Sequence, residues 1–158
     1  MSSVLELAVF DLDDTLYRSP RPPTGYGLEW YALPQSLADA GPPGFDNRWN
    51  LTVLQAVRRS LNNPDAKVAL LSARPHNLYL HAHIMRWMQR SGLHFDLIQL
   101  RPLEVARSEP YKAMAIGQWL AEYPSVERVV FWDDLETNRE AVSSTVKYAG
   151  KQVLLGIP

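Results

Sequence analysis

Three carboxylates and a hydroxyl come directly after a short apolar segment near the N-terminus. Residues 5–10 form that segment, and Asp11, Asp13, Asp14 and Thr15 follow it. A brief apolar run closed by polar residues is typical of a buried strand. In an extended chain Asp11 and Asp13 share a face, while Asp14 points elsewhere and is expected to be structural. The pattern suits a nucleophile beside a divalent cation, and a turn or helix cap is the structural alternative.

Three later segments also place polar side chains where an apolar run ends or a helical pattern begins. They are Ser72 and Arg74 after residues 67–71, Lys112 near the start of a helix over 111–123, and Asp133 with Asp134 after residues 127–132. A hydroxyl and a guanidinium at a strand tip can cradle a phosphate, with a plain helix cap as the alternative. A lysine near a helix N-terminus is disfavoured by a few tenths of a kcal/mol, up to about 1 kcal/mol, and this placement indicates an anionic partner.

The elements that must position these groups alternate between strand and helix along the chain. Strands are predicted at 5–10, 67–71, 95–100, 127–132 and 152–155, and helices at 49–61, 77–90, 111–123 and 136–146. This alternation predicts an α/β fold with a mostly parallel, helix-flanked sheet of about five strands. The carboxyl ends of parallel strands lie at one edge, so the four polar groups are expected to converge there.

The expected crowding of carboxylates indicates a metal site. The chain has no cysteine, which excludes disulfides, thiolate metal sites and thiol nucleophiles. His81 and His83 are two apart on a predicted helix and do not face one another, so both are interpreted as packing or exposed histidines. Hard oxygen ligands without Cys or paired His favour Mg²⁺.

The segment 17–47 is rich in proline, glycine and aromatic residues, and we interpret it as a rim over the sheet. Short helical turns are expected at 28–33 and 36–40, interrupted by Pro34. Aromatic residues of this segment include Tyr26, Trp30, Tyr31 and Phe45, and Trp49 follows it. Two interpretations stay open, a lid or base-stacking surface for a substrate and an aromatic cluster that anchors the loop.

Length and charge limit the class of protein. A chain of 158 residues is expected to form a single domain, 1–158. Sixteen basic and seventeen acidic residues give a net charge of −1, which argues against a strong sequence-independent grip on nucleic acid and leaves a local basic groove open. Residues 1–6 show no basic leader and no segment is long enough to span a membrane, so a soluble, cytoplasmic protein is expected.

The four groups together resemble a known family. DxDxT (Asp11, Asp13, Thr15), a serine after a buried strand (Ser72), a lysine (Lys112) and an acidic pair after another strand (Asp133, Asp134) are similar to the four motifs of the haloacid dehalogenase-like (HAD) phosphohydrolases. The resemblance extends over residues 5–155. It implies a three-layer Rossmann-like sandwich with a minimal cap, formed by segment 17–47, and a covalent aspartyl-phosphate mechanism.

The resemblance also implies a role for each matching residue. Asp11 is the expected nucleophile and Asp13 the expected general acid and base. Ser72 and Lys112 are expected to hold the transferring phosphoryl oxygens. Thr15, which shapes the turn, and Arg74 are the expected substrate-binding residues. The expected ligands of Mg²⁺ are Asp11, the backbone carbonyl of Asp13, Asp133 and Asp134.

The second motif indicates the substrate. Ser72-Ala73-Arg74 resembles the Ser/Thr-Gly-Arg of polynucleotide 3′-phosphatases and of the HAD domains in Swiss Army Knife RNA repair proteins. Ala73 replaces the usual Gly, and Leu135 stands where those enzymes often carry an Arg that suits a terminal phosphate, a role open to Arg74. The resemblance favours a Mg²⁺-dependent phosphatase acting on an RNA or DNA end. The alternatives are a phosphatase of a nucleotide, sugar phosphate or phosphoprotein, and a receiver-like binding module with an acidic pocket and no catalysis.

Overall fold

Strands and helices alternate along the computed structural model of this protein, which describes residues 3–158. The strands are β1 (Glu6–Phe10), β2 (Ala66–Pro75), β3 (Leu97–Arg101), β4 (Arg128–Trp132) and β5 (Gln152–Gly156). The helices are α1 (Leu51–Leu61), α2 (Leu78–Arg90), α3 (Ser108–Glu122) and α4 (Glu136–Tyr148). Met1 and Ser2, on which the expected lack of a leader partly rests, lie outside the described residues. None of the helices within residues 3–158 combines the length and apolar character needed to cross a bilayer.

The five strands form one parallel sheet in the order β3-β2-β1-β4-β5. In the central strand β1, Phe10 lies opposite Leu70 of β2 and Trp132 of β4. The backbone N–H of Asp11 continues this pairing by donating to the carbonyl of Trp132 at 2.9 Å. The predicted α/β class is therefore confirmed, and the ends of β1 and β4 lie side by side at the carboxyl edge.

Side chains on the two faces of β1 enter two separate cores, which makes the fold a three-layer, Rossmann-like sandwich. Ala8 and Phe10 pack with α1 and α2 on one face, and Leu7 and Val9 pack with α3 and α4 on the other. A strand buried on both faces explains why the segment is nearly all apolar. Each large apolar side chain buried in this way contributes about 1.5–3 kcal/mol, which holds the strand end in place.

Strand β2 is longer than predicted and includes Ser72 and Arg74, which were expected to follow it. The helix α2 begins at Leu78, because the side chain of Asn77 accepts hydrogen bonds from the backbone N–H groups of Tyr79 and Leu80 at 2.9 and 3.2 Å. The strand end predicted at residue 71 is therefore wrong, and so is the alternative that Ser72 caps a helix, since Asn77 is the cap. Both residues are held in the sheet.

Two helix starts also differ from the prediction. Asn50 caps α1 by accepting from the backbone N–H of Val53 at 3.1 Å, which leaves Trp49 outside the helix. Helix α3 begins at Ser108, because Pro110 is tolerated in a first turn whose N–H groups need no intrahelical partner. Lys112 accordingly lies in the second turn of α3.

The rim contains two short 3-10 helices, Leu28–Ala32 and Pro34–Leu37, close to the predicted turns. Its base is fixed by the aromatic anchor, which we define as Tyr17, Gly41, Asp46, Trp49 and Trp87. The ring of Tyr17 packs edge-on against both indoles, with centroid distances of 5.5 and 4.7 Å. Both indole N–H groups donate to the carbonyl of Gly41, at 2.9 Å and 3.1 Å. For Trp49, these contacts favour the interpretation that the aromatic cluster anchors the loop.

The two helical histidines pack against neighbouring backbone. Nε2 of His81 lies 2.9 Å from the carbonyl oxygen of Ile98, and Nε2 of His83 lies 3.1 Å from that of Leu37. These contacts confirm the interpretation of both as packing histidines.

Candidate active site

The loop after β1 turns sharply at the carboxyl edge of the sheet. The carbonyl of Leu12 accepts from the backbone N–H groups of Thr15 and Tyr17 at 3.3 and 3.0 Å. Asp14 has a φ of 59°, the left-handed region that Asp tolerates better than most residues. The turn keeps Asp11 and Thr15 on the inner side of the loop, where their side chains meet at 2.8 Å.

Lys112 joins the first and last motifs in the interior. Its Nζ donates to Asp11 at 2.7 Å and to Asp133 at 2.5 Å, and the lysine side chain is 1% exposed. Burial alone would lower the pKa of Lys112, but the charges of the two carboxylates raise it. Burial raises the pKa of Asp11 to about 8, while the Lys112 ammonium opposes this and the charge of Asp133 adds to it. The ammonium thus favours the ionised form of Asp11 and partly offsets the effect of burial on its pKa.

Thr15 connects the nucleophile candidate to the second acid of the pair. Its hydroxyl donates to Asp11 Oδ2 at 2.8 Å and lies 3.2 Å from Asp134 Oδ1. The same oxygen accepts from the backbone N–H of Asp134 at 3.0 Å. Burial and then the charge of Asp133 raise the pKa of Asp134. Thr15 therefore links the loop after β1 to Asp134 and sets the spacing of two carboxylates.

Asn138 orients Asp133 and was missed in the sequence. Its Nδ2 donates to both carboxylate oxygens of Asp133, at 3.2 and 3.1 Å, and the backbone N–H of Leu135 donates to Oδ1 at 2.9 Å. The hydroxyl of Ser108 donates to Asn138 Oδ1 at 2.8 Å and fixes that amide. The available signal was a polar residue in the first turn of a helix that directly follows the acidic pair.

The carboxylates of Asp11, Asp133 and Asp134 can fit a divalent cation. One oxygen of each lies within 4.8 Å of the others, and hard oxygen donors at this spacing match the preference of Mg²⁺. The side chain of Asp13 is outside this group, so its metal contact through the backbone carbonyl stays a prediction.

Asp13 is held instead by Arg74. The guanidinium donates to the Asp13 carboxylate from Nε at 2.9 Å and from Nη2 at 2.7 Å, a bidentate pair. The Nη1 group donates to the carbonyl of Tyr31 at 3.2 Å and to the hydroxyl of Ser36 at 2.5 Å, both in the rim. Ser19, a second partner that the sequence did not reveal, donates its hydroxyl to Asp13.

The serine of the second motif is fully buried in β2. Ser72 is 0% exposed, and its Oγ accepts from the backbone N–H of Arg74 at 3.2 Å. Ser72 does not line the pocket that the described residues form around Asp11, Asp13 and Lys112. Its contact with a phosphoryl oxygen stays a prediction, and in the structure it supports the backbone of Arg74.

A pocket of about 370 Å³ is lined both by Asp11 with Lys112 and by Asp13 with Arg74. Asp11, Asp13 and Lys112 line its floor, and Leu28 and Tyr31 of the rim line its mouth. A nucleophile candidate and a second carboxylate therefore face one space large enough for a phosphate ester. This arrangement can carry out transfer of a phosphoryl group to a carboxylate.

Most of the chain matches the model of a known protein family. The model of HAD domain family 1 in Swiss Army Knife RNA repair proteins matches residues 25–153, a range that includes Ser72, Lys112, Asp133 and Asp134. No curated protein sequence matches this chain.

Solved structures share the fold. The HAD domain of the effector protein Lem4 from Legionella pneumophila aligns with a TM-score of 0.59 and 18% identity over 98% of this chain and 86% of that one. A chain of the Pnkp1/Rnl/Hen1 complex aligns with a TM-score of 0.59 and 16% identity over 100% of this chain. This chain spans 48% of that longer one.

Proposed function

This chain belongs to the family of HAD domains found in Swiss Army Knife RNA repair proteins, and we propose that it is a phosphatase that removes a phosphate group from an RNA end. The observation that carries the proposal is the buried contact between Asp11 and Lys112 at 2.7 Å, on the floor of a pocket that Asp13 also lines. These groups suit a nucleophile, its charge partner and a general acid.

In the proposed reaction, a carboxylate oxygen of Asp11 attacks phosphorus. The bond between this oxygen and phosphorus forms, the bond to the leaving oxygen breaks, and Asp13 gives its proton to that oxygen. Asp13 then takes a proton from water, the water oxygen attacks phosphorus, and the Asp11 carboxylate is released with inorganic phosphate. Each residue returns to its starting state, so the cycle balances.

Lys112 and the acidic pair prepare Asp11 for this step. The ammonium favours the ionised form of Asp11 and so opposes the rise in its pKa that burial causes, and Asn138 keeps Asp133 directed at the ammonium. Thr15 orients the other oxygen of Asp11. A magnesium ion held by Asp11, the Asp13 carbonyl and Asp134, with Asp133 in support, would supply further positive charge to the phosphoryl oxygens.

We assign Arg74 a positioning role through Asp13. The side chain of Arg74 is 1% exposed and that of Asp13 is 26% exposed, so the carboxylate faces the pocket while its partner lies behind it. A bidentate guanidinium fixes both the position and the orientation of a carboxylate. A direct contact of Arg74 with substrate, expected from the sequence, remains part of the proposal because Arg74 also lines the pocket.

The RNA end is the favoured substrate because of the family match and because one structural neighbour is a chain of the Pnkp1/Rnl/Hen1 RNA repair complex. Leu28 and Leu135 line the pocket and are 82% and 50% exposed, so this part of the pocket is open to solvent and a polymer can extend from it beyond the terminal phosphate. A phosphatase of small phosphorylated molecules is the second candidate, since the pocket volume of about 370 Å³ also suits a single nucleotide.

A substrate panel tests the proposal. Purified protein with MgCl₂ is given RNA and DNA strands with 3′-phosphate, 5′-phosphate or 2′,3′-cyclic phosphate ends, and the matching mononucleotides and sugar phosphates. We expect phosphate release to be faster from one RNA monoester end than from the matching mononucleotide. The cyclic end should stay intact, because it offers no monoester. Equal or faster rates on the small molecules would contradict the RNA assignment, and activity after chelation would contradict the need for a cation.

A further inference from the structure

Three arginines that belong to none of the sequence motifs line a groove beside the pocket that Asp11, Asp13 and Lys112 line, which we call the catalytic pocket. The groove has a volume of about 410 Å³, and its arginines are Arg18, Arg21 and Arg48. Arg18 and Arg21 follow the turn after β1, and Arg48 precedes α1, so two distant parts of the chain supply the charge. We call this surface the arginine groove.

The arginine groove adjoins the catalytic pocket. Asp14 and Arg21 line both spaces. Thr15 lines the groove, and its hydroxyl donates to the nucleophile candidate Asp11 at 2.8 Å. An extended ligand whose terminal group reaches Asp11 can therefore pass Asp14 and Arg21 into the groove.

The charge of the groove is positive. Asp14 is the carboxylate among its described lining residues, and it pairs with Arg21 at 3.1 Å. Within residues 3–158, Arg18 and Arg48 form no ion pair. Nη1 of Arg48 donates to the carbonyl of Arg18 at 3.2 Å, which orients one guanidinium beside the other residue. Two guanidinium groups are thus left for an external anion.

The start of α1 adds to this positive character. Its N-cap residue Asn50 lines the groove, and the first turn of the helix contains no acidic side chain. Unpaired N–H groups and the helix dipole favour an anion at such a position. Because the net charge of the whole chain is −1, this attraction is a local feature of the groove.

We propose that the arginine groove binds the backbone phosphates of the RNA strand whose terminal phosphate lies in the catalytic pocket. The proposal rests on the proposed function and extends it, because it names the polymer contact that separates an RNA end from a mononucleotide. Arg18 and Arg48 contact phosphodiester oxygens, and the chemistry at Asp11 stays as described above. RNA is favoured over an acidic peptide because the groove leads into a pocket suited to a phosphoryl group.

A binding experiment tests the groove without catalysis. Fluorescence anisotropy measures a labelled single-stranded RNA with a terminal phosphate against the Asp11→Asn protein, over a series of salt concentrations. Adding Arg18→Gln and Arg48→Gln should weaken binding at least about tenfold, and should reduce the slope of log K against log[salt] by about 1.4, since each phosphate contact on a single strand contributes about 0.7.

The control changes the same number of charges elsewhere. Arg58→Gln and Arg59→Gln alter two exposed arginines in the last turn of α1, away from its N-terminus. This pair should leave both affinity and salt slope close to those of the Asp11→Asn protein. Equal losses for the two pairs of substitutions would overturn the groove. Displacement of the RNA by polyglutamate as readily as by unlabelled RNA would overturn the choice of ligand.

Kinetics separate this proposal from the proposed function. In the active protein, Arg18→Gln with Arg48→Gln should raise KM for an RNA end at least about tenfold more than KM for the matching mononucleotide, through loss of phosphate contacts. If the wild-type protein hydrolyses no RNA end, the proposed function fails, and the anisotropy measurement still decides the groove. If RNA ends are hydrolysed and the two arginine pairs behave alike, the groove alone fails.

Discussion

A carboxylate is in opposite situations in two regions, the aromatic anchor and the carboxyl edge of the sheet around Asp11, Lys112 and Asp133, which we call the catalytic edge. Burial raises the pKa of Asp11 to about 8 against the opposing charge of Lys112. Burial also opposes ionisation of Asp46, but the hydroxyl of Tyr17 and the backbone N–H groups of Gly41 and Arg48 together lower its pKa. Hydrogen bonds from neutral donors stabilise Asp46 in the anchor, whereas the catalytic edge crowds carboxylates together, and such a group needs a cation. Asp46 stabilises the fold, and Asp11 is the carboxylate that we propose to react.

Asp13 and Arg74 lie between these two regions. The guanidinium holds Asp13 by a bidentate pair and also reaches Tyr31 and Ser36 in the rim. The rim is in turn fixed at its base by the anchor, where Trp49 donates to the carbonyl of Gly41. The position of the proposed acid therefore depends on rim contacts, whereas that of Asp11 depends on the sheet and α3.

The largest expected effect separates the two carboxylates directly. Asp11→Asn should lower kcat for an aryl phosphate by at least about 10⁴-fold, because the nucleophile is lost. The protein should stay folded, since Lys112 keeps its contact with Asp133 at 2.5 Å. Asp46→Asn is the matched control, and it should lower the unfolding temperature while kcat stays within about threefold. An active Asp11→Asn protein would show that another residue attacks phosphorus.

A smaller effect is expected at Arg74. Arg74→Lys keeps the charge and loses the bidentate geometry, so kcat for an RNA end should fall about 10²-fold through misplacement of Asp13. The loss should be smaller for an aryl phosphate, whose leaving oxygen needs little protonation, and Asp13→Asn should show the same dependence on the leaving group.

The control is Arg101→Lys, because Arg101 donates to the carbonyls of Ala73 and Val105 and does not contact Asp13. It should show no such dependence on the leaving group. A loss at Arg74 that is equal for both substrates would indicate a structural role alone.

The sequence was sufficient to predict the sheet and the convergence of four motifs. Short apolar runs are local signals, and a parallel arrangement places all their carboxyl ends at one edge. Asp11, Lys112 and Asp133 meet for this reason, although Asp11 and Lys112 are 101 positions apart. The same reasoning predicted that Asp11, Asp133 and Asp134 lie close enough together to hold a cation.

The partners of Asp13 could not be predicted in this way. Arg74 lies 61 positions from Asp13, and their pairing depends on β2 continuing through Pro75, which no apolar run signals. Ser19 and the arginine groove depend on the path of a proline-rich loop, which has no period from which a direction could be inferred. The contacts that involve loops were the least predictable. They position Asp13, whereas Asp11 is positioned by the sheet and α3.

A stability change without a change in chemistry is expected at Tyr17. Tyr17→Phe removes the hydrogen bond to Asp46 and keeps the ring against Trp49 and Trp87, so the free energy of unfolding should fall by about 1–2 kcal/mol. Urea unfolding measures the loss, and kcat should change less than about threefold. Tyr148→Phe is the control, because Tyr148 is 96% exposed. An equal loss at both positions would mean that the hydrogen bond contributes nothing to stability.

The smallest effect is the pH dependence of the anchor. The folded protein lowers the pKa of Asp46 below its usual 3.8, so the unfolded chain binds the proton more tightly. The stabilisation by ionised Asp46 is therefore complete above about pH 4 and is lost as the pH falls through the lower folded value. Urea unfolding of wild type and Asp46→Asn between about pH 7 and about pH 3 should show a stability difference that shrinks at the acidic end. A constant or growing difference would mean that Asp46 is not stabilised as an anion, and the contrast with Asp11 would then rest on the catalytic edge alone.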